Sequence, residues 1–292
     1  MKELRGRTAF VTGGASGIGL GMVRAFLAEG MKVVVVDRND ALIEEVRGLL
    51  QGSNAVHFLR VDVTDRDQVR AAADAAEAAF GRIHVLCNNA GVSGGGAVAD
   101  PDFDEWDKAL AINLGGVVNG VKIIGPRIVA HGEGGHIVNT SSMAGLVPLP
   151  DEGGCYSTAK YAIRGLTESL RLSLALKGIG VSCLCPGLTR SRIMEGSGEG
   201  SSMARDGDPD ALFNTMDGAM DPLEVGEAVV RGIRANLPYI LPHSEFRDEV
   251  VALHQGIADG FPVDQEVPPA RLAFEQGRQR MTEERRHLPV LD

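Results

Sequence analysis

The 292-residue sequence predicts an α/β protein: a doubly wound Rossmann sheet of seven parallel strands with helices on both faces, forming a single domain with a C-terminal helical extension. Three observations predict it. Strand-like and helix-like segments alternate along the first 190 residues. The strands are near-continuous apolar runs such as Lys32–Asp37 (KVVVVD), without the polar alternation of a sheet that is wet on one face. A glycine-rich turn, Thr12–Gly19 (TGGASGIG), follows the first strand and opens the first helix.

Taken in order, Thr8–Thr12 reads as a strand and Ile18–Glu29 as a helix by its apolar spacing. Lys32–Asp37 is a buried strand and Ala41–Leu50 a helix. Ala55–Asp62 is a strand, Asp67–Phe80 an alanine-rich helix, and Ile83–Asn88 and His136–Ser141 are strands. Ser157–Leu176 is a long helix, and Gly180–Cys185 a sixth strand stopped by Pro186-Gly187. From Ser191 to Asp221 the chain turns rich in Gly, Ser, Asp and Met with little periodicity, which predicts a lid-like loop over about 191–221. Pro222–Ala235 resumes as helix and Leu237–Leu241 as the last strand. From His243 the chain is mostly charged helix, ending in an amphipathic or extended tail over Glu266–Asp292. The expected organisation is a catalytic dinucleotide-binding domain, 1–242, and an extension, 243–292, that covers a neighbouring subunit or the mouth of the site.

Bulk properties narrow the function. Hydrophobic residues are 44% of the chain, enough for a sizeable core. A formal charge of −10 repels phosphate backbones, so nucleic acid is not expected as a partner. The first residues carry no apolar signal region, and the longest purely aliphatic run, Val33–Val36, is too short for a bilayer. No membrane association is expected. Four scattered cysteines (Cys87, Cys155, Cys183 and Cys185) read as free thiols in a reducing cytoplasm. Cys183 and Cys185 share a strand face, but no further ligands are spaced to complete a metal site, and none is expected.

In the glycine turn, Gly13, Ser16, Gly17, Ile18 and Gly19 stand where a helix N-terminus can meet a pyrophosphate. Glycine lets the phosphates approach the backbone, and the unpaired amides and dipole favour the anion. Asp37 ends the second strand 18 residues beyond Gly19, where a carboxylate accepts both ribose hydroxyls and repels the extra phosphate of NADP. The expected cofactor is NAD. Arg38 pulls the other way, since a guanidinium beside that carboxylate can hold a phosphate. Asp62 and Val63 close the third strand and Asn88 begins the Asn88–Gly91 (NNAG) turn after the fourth. All lie at carboxyl ends of parallel strands, where open α/β sheets bind ligands.

Tyr156 and Lys160 are four residues apart, on one face of a helix. A phenol is too weak a base at neutral pH, and a fixed positive charge nearby favours the phenolate. Such a tyrosine can take the proton of an alcohol or return it to a ketone. Ser142, just after the strand His136–Ser141, is placed to hydrogen-bond the reacting oxygen. Ser141 is the neighbouring candidate, but its side chain points to the other side of the strand. Asn113 sits inside an apolar helical stretch, where it is either a tolerated polar residue, a kink, or the holder of a water on a proton path to Lys160.

Together these motifs resemble the short-chain dehydrogenase/reductase family from Thr8 to Gly187 and, more loosely, to Leu241. The resemblance implies a catalytic set of Asn113, Ser142, Tyr156 and Lys160, with Lys160 also holding the nicotinamide ribose. It implies contacts to the carboxamide from the main chain of Thr189 and the hydroxyl of Ser191, where the family usually has Thr. It also implies a homo-tetramer or homo-dimer built through helices near Glu105–Ile128 and Ser157–Leu176. Within the family, GGHIVNTSSMAGL, LPYILPHSEFRDEV and the long tail resemble bacterial Cα-dehydrogenases, which oxidise the benzylic alcohol of β-aryl-ether lignin dimers with NAD. The family fixes the chemistry rather than the substrate. Met194, Met203, Phe213, Met216 and Met220 in the lid region suit a bulky hydrophobic or aryl alcohol, or simply pack the lid on the sheet. The competing readings are an NADP-dependent reductase of acyl or steroid-like ketones, supported by Arg38, and a non-catalytic dinucleotide sensor, which has no need of all four catalytic residues.

Overall fold

A computed structural model of the chain describes residues 1–94, 98–99, 103–150, 153–191 and 218–291. Seven strands form one parallel sheet: β1 Thr8–Thr12, β2 Lys32–Asp37, β3 Val56–Arg60, β4 Val85–Asn88, β5 Gly135–Thr140, β6 Ile179–Leu184 and β7 Tyr239–Ile240. Their order is β3-β2-β1-β4-β5-β6-β7, so the winding reverses between β1 and β4 and opens a crevice at their carboxyl ends. The expected seven-stranded doubly wound architecture is the one observed.

Each strand feeds both layers, because successive side chains point to opposite faces. In β2, Val33 and Val35 pack with Met22 and Phe26 of α1 (Gly17–Ala28) and with Val229 and Ile233 of α8 (Pro222–Ala235). Val34 and Val36 face the other way, joining Phe10, Leu86, Ile137 and Val181 in a second core. Helices α3 (Arg66–Phe80), α5 (Gly116–Ile123), α6 (Gly125–His131) and α7 (Gly154–Ala175) cover that core. On the first face, α2 (Asp40–Leu49) adds Ile43 and Val46. Helices α1 and α8 cross in backbone contact: a Cβ at Gly21 would overlap the Pro222 carbonyl, and one at Gly226 would stand 2.8 Å from the Met22 nitrogen.

The stretch Asp104–His131 is long and apolar enough, by length and composition, to cross a membrane, but Val117, Val121, Ile124 and Ile128 within it are buried in the core. It is not one regular helix. Helix α4 (Asp104–Leu110) passes through a π-helical turn, Ala111–Gly115, before α5 and α6. Propensity gives no sign of that turn, which carries Asn113. Helix α7 starts three residues earlier than Ser157, which brings Tyr156 into its first turn. The extension forms α9 (Arg247–Asp259) and α10 (Pro269–Arg286), neither with a fully buried residue. The Leu291 amide donates to the Gly178 carbonyl at 2.9 Å, just ahead of β6. The tail thus returns to the amino-terminal edge of its own sheet, opposite the crevice. Of the expected lid, 192–217 lies outside the described residues, and Met194, Met203, Phe213 and Met216 with it.

Candidate active site

A cleft of about 450 Å³ opens at the carboxyl ends of the strands, within the roughly 300–1,000 Å³ range usual for cofactor sites. At its centre is the start of α1. Ser16 occupies the N-cap with an extended backbone, and its side chain makes no capping hydrogen bond, whereas Asn39, Asp65 and Asp221 cap α2, α3 and α8. The first-turn amides of α1 are therefore not satisfied by that side chain. Gly13, Ser16, Gly17 and Ile18 line the cleft. Gly17 has a φ of +47°, and a Cβ there would lie 2.8 Å from the Ser191 Cβ, so glycine lets Ser191 close over the loop. Gly19 lies beneath the loop rather than on it, and a Cβ there would overlap the Gly13 carbonyl.

Asn89 locks this loop. Its Nδ2 donates to the Thr12 carbonyl at 3.2 Å, and its own amide donates to Thr12 Oγ1 at 2.9 Å. Asn89 lines the cleft, whereas the Asn88 side chain does not reach it. Asn88 Nδ2 donates to Asn139 Oδ1 at 2.8 Å inside the sheet, Asn139 Nδ2 continues to Thr167 Oγ1 at 3.1 Å, and Asn88 Oδ1 faces the space left by Gly120. Side chains alternate along a strand, so the residue after Asn88 meets the ligand side.

Asp37 and Arg38 line the end of the cleft beyond β2, with Asp62 and Val63 beside them. The Asp37 carboxylate accepts the amides of Ala15 at 3.3 Å and Asn39 at 3.1 Å, which fixes it across from the glycine loop. Asp62 Oδ1 accepts from the Thr64 hydroxyl at 2.7 Å, and the Val63 carbonyl accepts from Asn119 Nδ2 at 2.9 Å. A glycine cradle, an N-cap serine free of capping duty and a carboxylate held at the second strand's end fit a dinucleotide.

The other end of the cleft holds Tyr156, Lys160, Pro186 and Ser191. Lys160 Nζ lies 5.2 Å from the centroid of the Tyr156 ring and donates to the Thr140 carbonyl at 3.2 Å. Burial lowers the Lys160 ammonium to about 8, opposed by the neighbouring Cys183 and Cys185. Burial also pushes the Tyr156 phenol up, while a hydrogen bond with Ser142 pulls it down. In the chain alone the phenol is thus raised, the reverse of the lowering expected from Lys160. The two serines separate: Ser141 Oγ donates to the Lys160 carbonyl at 2.7 Å, and Ser142 meets the phenol. Asn113 is fully buried and grips Val92 on both sides, accepting its amide at 3.1 Å and donating to its carbonyl at 3.0 Å. Gly91 lies between Asn113 and Lys160, and a Cβ there would crowd Asn113 Oδ1 at 2.7 Å and stand 3.6 Å from Lys160 Nζ. Both ends of the Asn113 amide are thus engaged by the Val92 main chain.

Thr189 is buried and forms a parallel bridge with Met220. The bridge uses the Arg190 amide and the Leu188 carbonyl, leaving the Thr189 N–H and C=O turned to the other side.

The sequence profile of the short chain dehydrogenase family matches residues 7–201. The chain belongs to that family. The Cα-dehydrogenase of Sphingobium sp. strain SYK-6 is 34% identical over 285 residues, 94% of this chain and 93% of its own. The 3-alpha-(or 20-beta)-hydroxysteroid dehydrogenase of Mycobacterium tuberculosis is 38% identical over 230 residues, 78% of this chain and 82% of its own. Among solved structures, a short chain dehydrogenase/reductase from Burkholderia phymatum in complex with NAD superposes with a TM-score of 0.81 at 30% identity, over 92% of this chain and 100% of that one. As a short-chain dehydrogenase, the chain is an oxidoreductase acting on a small-molecule substrate.

Proposed function

We propose that this dehydrogenase moves a hydride between NAD and a secondary alcohol or its ketone, with Tyr156 exchanging the hydroxyl proton. The observation that carries the reading is that Tyr156 and Lys160 line one end of a cleft whose other end is marked by Asp37, with Ser142 hydrogen-bonded to the phenol. When bound, the nicotinamide supplies the hydride acceptor or donor. Ser142 orients the reacting oxygen and the phenol. Lys160 keeps a positive charge beside the ring at neutral pH and would hold the nicotinamide ribose. Asn113 fixes the Val92 main chain beside them. Gly13, Ser16, Gly17 and Ile18 would receive the pyrophosphate, Asp37 the adenosine ribose, Asp62, Val63 and the Asn88–Asn89 main chain the adenine side, and Thr189 and Ser191 the carboxamide.

The substrate we favour is a bulky hydrophobic or aryl, benzylic alcohol. Val98, Leu149 and Leu188 expose apolar surface around the start of α7 and the segment after β6. The Cα-dehydrogenase match covers 94% of the chain and so runs into the 243–292 extension, whereas the match to the steroid enzyme covers 78%. A steroid-like ketone remains the second reading, carried by that relative and, for NADP, by Arg38 in the cleft. Residues 1–242 carry catalysis. The partly exposed apolar stretch Asp104–His131 and α7 supply the contacts of a homo-dimer or homo-tetramer, and the four buried free thiols suit a reducing cytoplasm. The test is a panel of benzylic, steroid, polyol and 3-hydroxyacyl alcohols with NAD and NADP, run on the wild type and on Tyr156→Phe. Turnover of a benzylic alcohol with NAD, lost in Tyr156→Phe while NADH still binds, is expected. Full activity in Tyr156→Phe would remove the proposed role of the phenol.

A further inference from the structure

We infer that His243 is a positioning residue for the nicotinamide half of the cofactor, holding the Pro186–Ser191 segment in place from behind; the inference rests on the dinucleotide reading of the cleft. His243 lies outside residues 7–201 that match the family profile, in the LPYILPHSEFRDEV stretch. Its ring is buried, 6% exposed. The Gly187 amide donates to Nδ1 at 3.0 Å, which leaves the ring proton on Nε2, and Nε2 donates to the Leu188 carbonyl at 3.0 Å. The same carbonyl accepts the Met220 amide at 3.0 Å. One carbonyl therefore joins the segment after β6, the bridge at Met220 and the start of the extension.

Gly187 stacks against this support: a Cβ there would lie 2.9 Å from His243 Cδ2 and 2.7 Å from Phe246 Cε2. Pro186 and Ser191, on either side of the pinned residues, line the cleft, and the Pro186 carbonyl accepts the amide of Met143, the residue after Ser142. Pro186 and Gly187 have no polar side chain with which to anchor the turn after β6, and the imidazole supplies two fixed points there. Without them, a ligand would have to order the segment on binding, and affinity would fall. Asp37 ends β2, on the far side of β1 and β4 from β6, so the adenosine end of the cleft gains nothing from His243.

The test compares full-length wild type, His243→Leu and His243→Gln, with folding checked by circular dichroism. NADH affinity is read by fluorescence titration, AMP affinity by calorimetry, and KM for NAD against kcat by steady-state kinetics. In His243→Leu, the loss of two hydrogen bonds is expected to weaken NADH and raise KM for NAD about tenfold, with AMP affinity unchanged. Glutamine offers one acceptor and one donor, so His243→Gln is expected to fall between the two. NADH affinity unchanged in the folded variants, equal weakening of NADH and AMP, or failure of both variants to fold would overturn the positioning role. Failure of the wild type to bind NADH would instead overturn the dinucleotide reading itself.

Discussion

The Ser141 hydroxyl donates to the main-chain carbonyl of Lys160 at 2.7 Å, so the serine next to the proposed catalytic one ties β5 to α7 through the backbone of the catalytic lysine. Gly145 leaves room for the contact, since a Cβ there would overlap Ser141 Oγ. The neighbouring hydroxyls thus carry separable duties, and mutation should separate them. Ser141→Ala removes the second donor to a carbonyl that keeps its helical hydrogen bond within α7, and should cost about 0.5–1.5 kcal/mol of stability, with kcat falling only slightly. Ser142→Ala should lower kcat by about 10²-fold or more through loss of a hydrogen bond to the reacting oxygen, with little change in melting temperature. Thermal melts and kinetics on both variants decide it; a kcat loss confined to Ser141→Ala would reverse the assignment.

Lys160 makes a prediction about stability and pH. Burial holds its ammonium at about 8 in the folded chain instead of 10.5. The unfolded chain binds the proton more tightly, so the buried charge costs the folded state roughly 3 kcal/mol below pH 8. Between pH 8 and 10.5 the folded lysine has released its proton while the unfolded one has not, and stability rises with pH across that window. Lys160→Met should therefore melt higher than wild type at pH 7, and its advantage should shrink as the pH goes from 8 to 10. Melting curves at pH 7, 8, 9 and 10 read this directly; a difference that stays constant across the series would contradict it.

Much of this site is legible in the sequence because its parts sit at element ends, where spacing along the chain maps onto spacing along the sheet. The glycine loop, Asp37 and the Tyr156–Lys160 pair follow from a strand, a turn and a helical repeat. What fails is the facing of single residues within those elements. Asn88 stands at the expected strand end but points into the sheet, because Asn139 on β5 lies opposite it and pairs amide to amide. Asn113 sits in a π-helical turn that exists to bring its amide onto Val92, a contact across 21 residues that local propensity does not encode. His243 is further away still, 56 residues from Gly187, and its partners are backbone groups that leave no mark on the sequence.

The Asp37 carboxylate accepts the amides of Ala15 and Asn39 and so holds its negative charge at the adenosine end of the cleft. A 2′-phosphate placed there would meet that charge in a site with Arg38 beside it. Asp37→Ala removes the repulsion and leaves Arg38 to attract. The ratio of kcat/KM for NADP over NAD should rise by about tenfold or more. Measuring both cofactors on one substrate checks it, and an unchanged ratio would mean that another group discriminates between them.

The extension offers the last test. Its final helix, α10, packs along α7 without a fully buried residue, and Leu291 closes on Gly178 at the edge of the sheet away from the cleft. Leu272, Phe274 and Met281 remain exposed on α10. An 18-residue helix with so little buried surface in its own chain draws little stability from it. If a second copy covers that face, truncation after Asp264 should shift the assembly to a smaller species in sedimentation velocity. His243 and the Pro186–Ser191 segment stay in the truncated chain, so KM for NAD and kcat per subunit should remain within about twofold of wild type, since distant sites act nearly independently. A large rise in KM with assembly intact would show that the tail reaches the mouth of the site after all, in a neighbouring subunit.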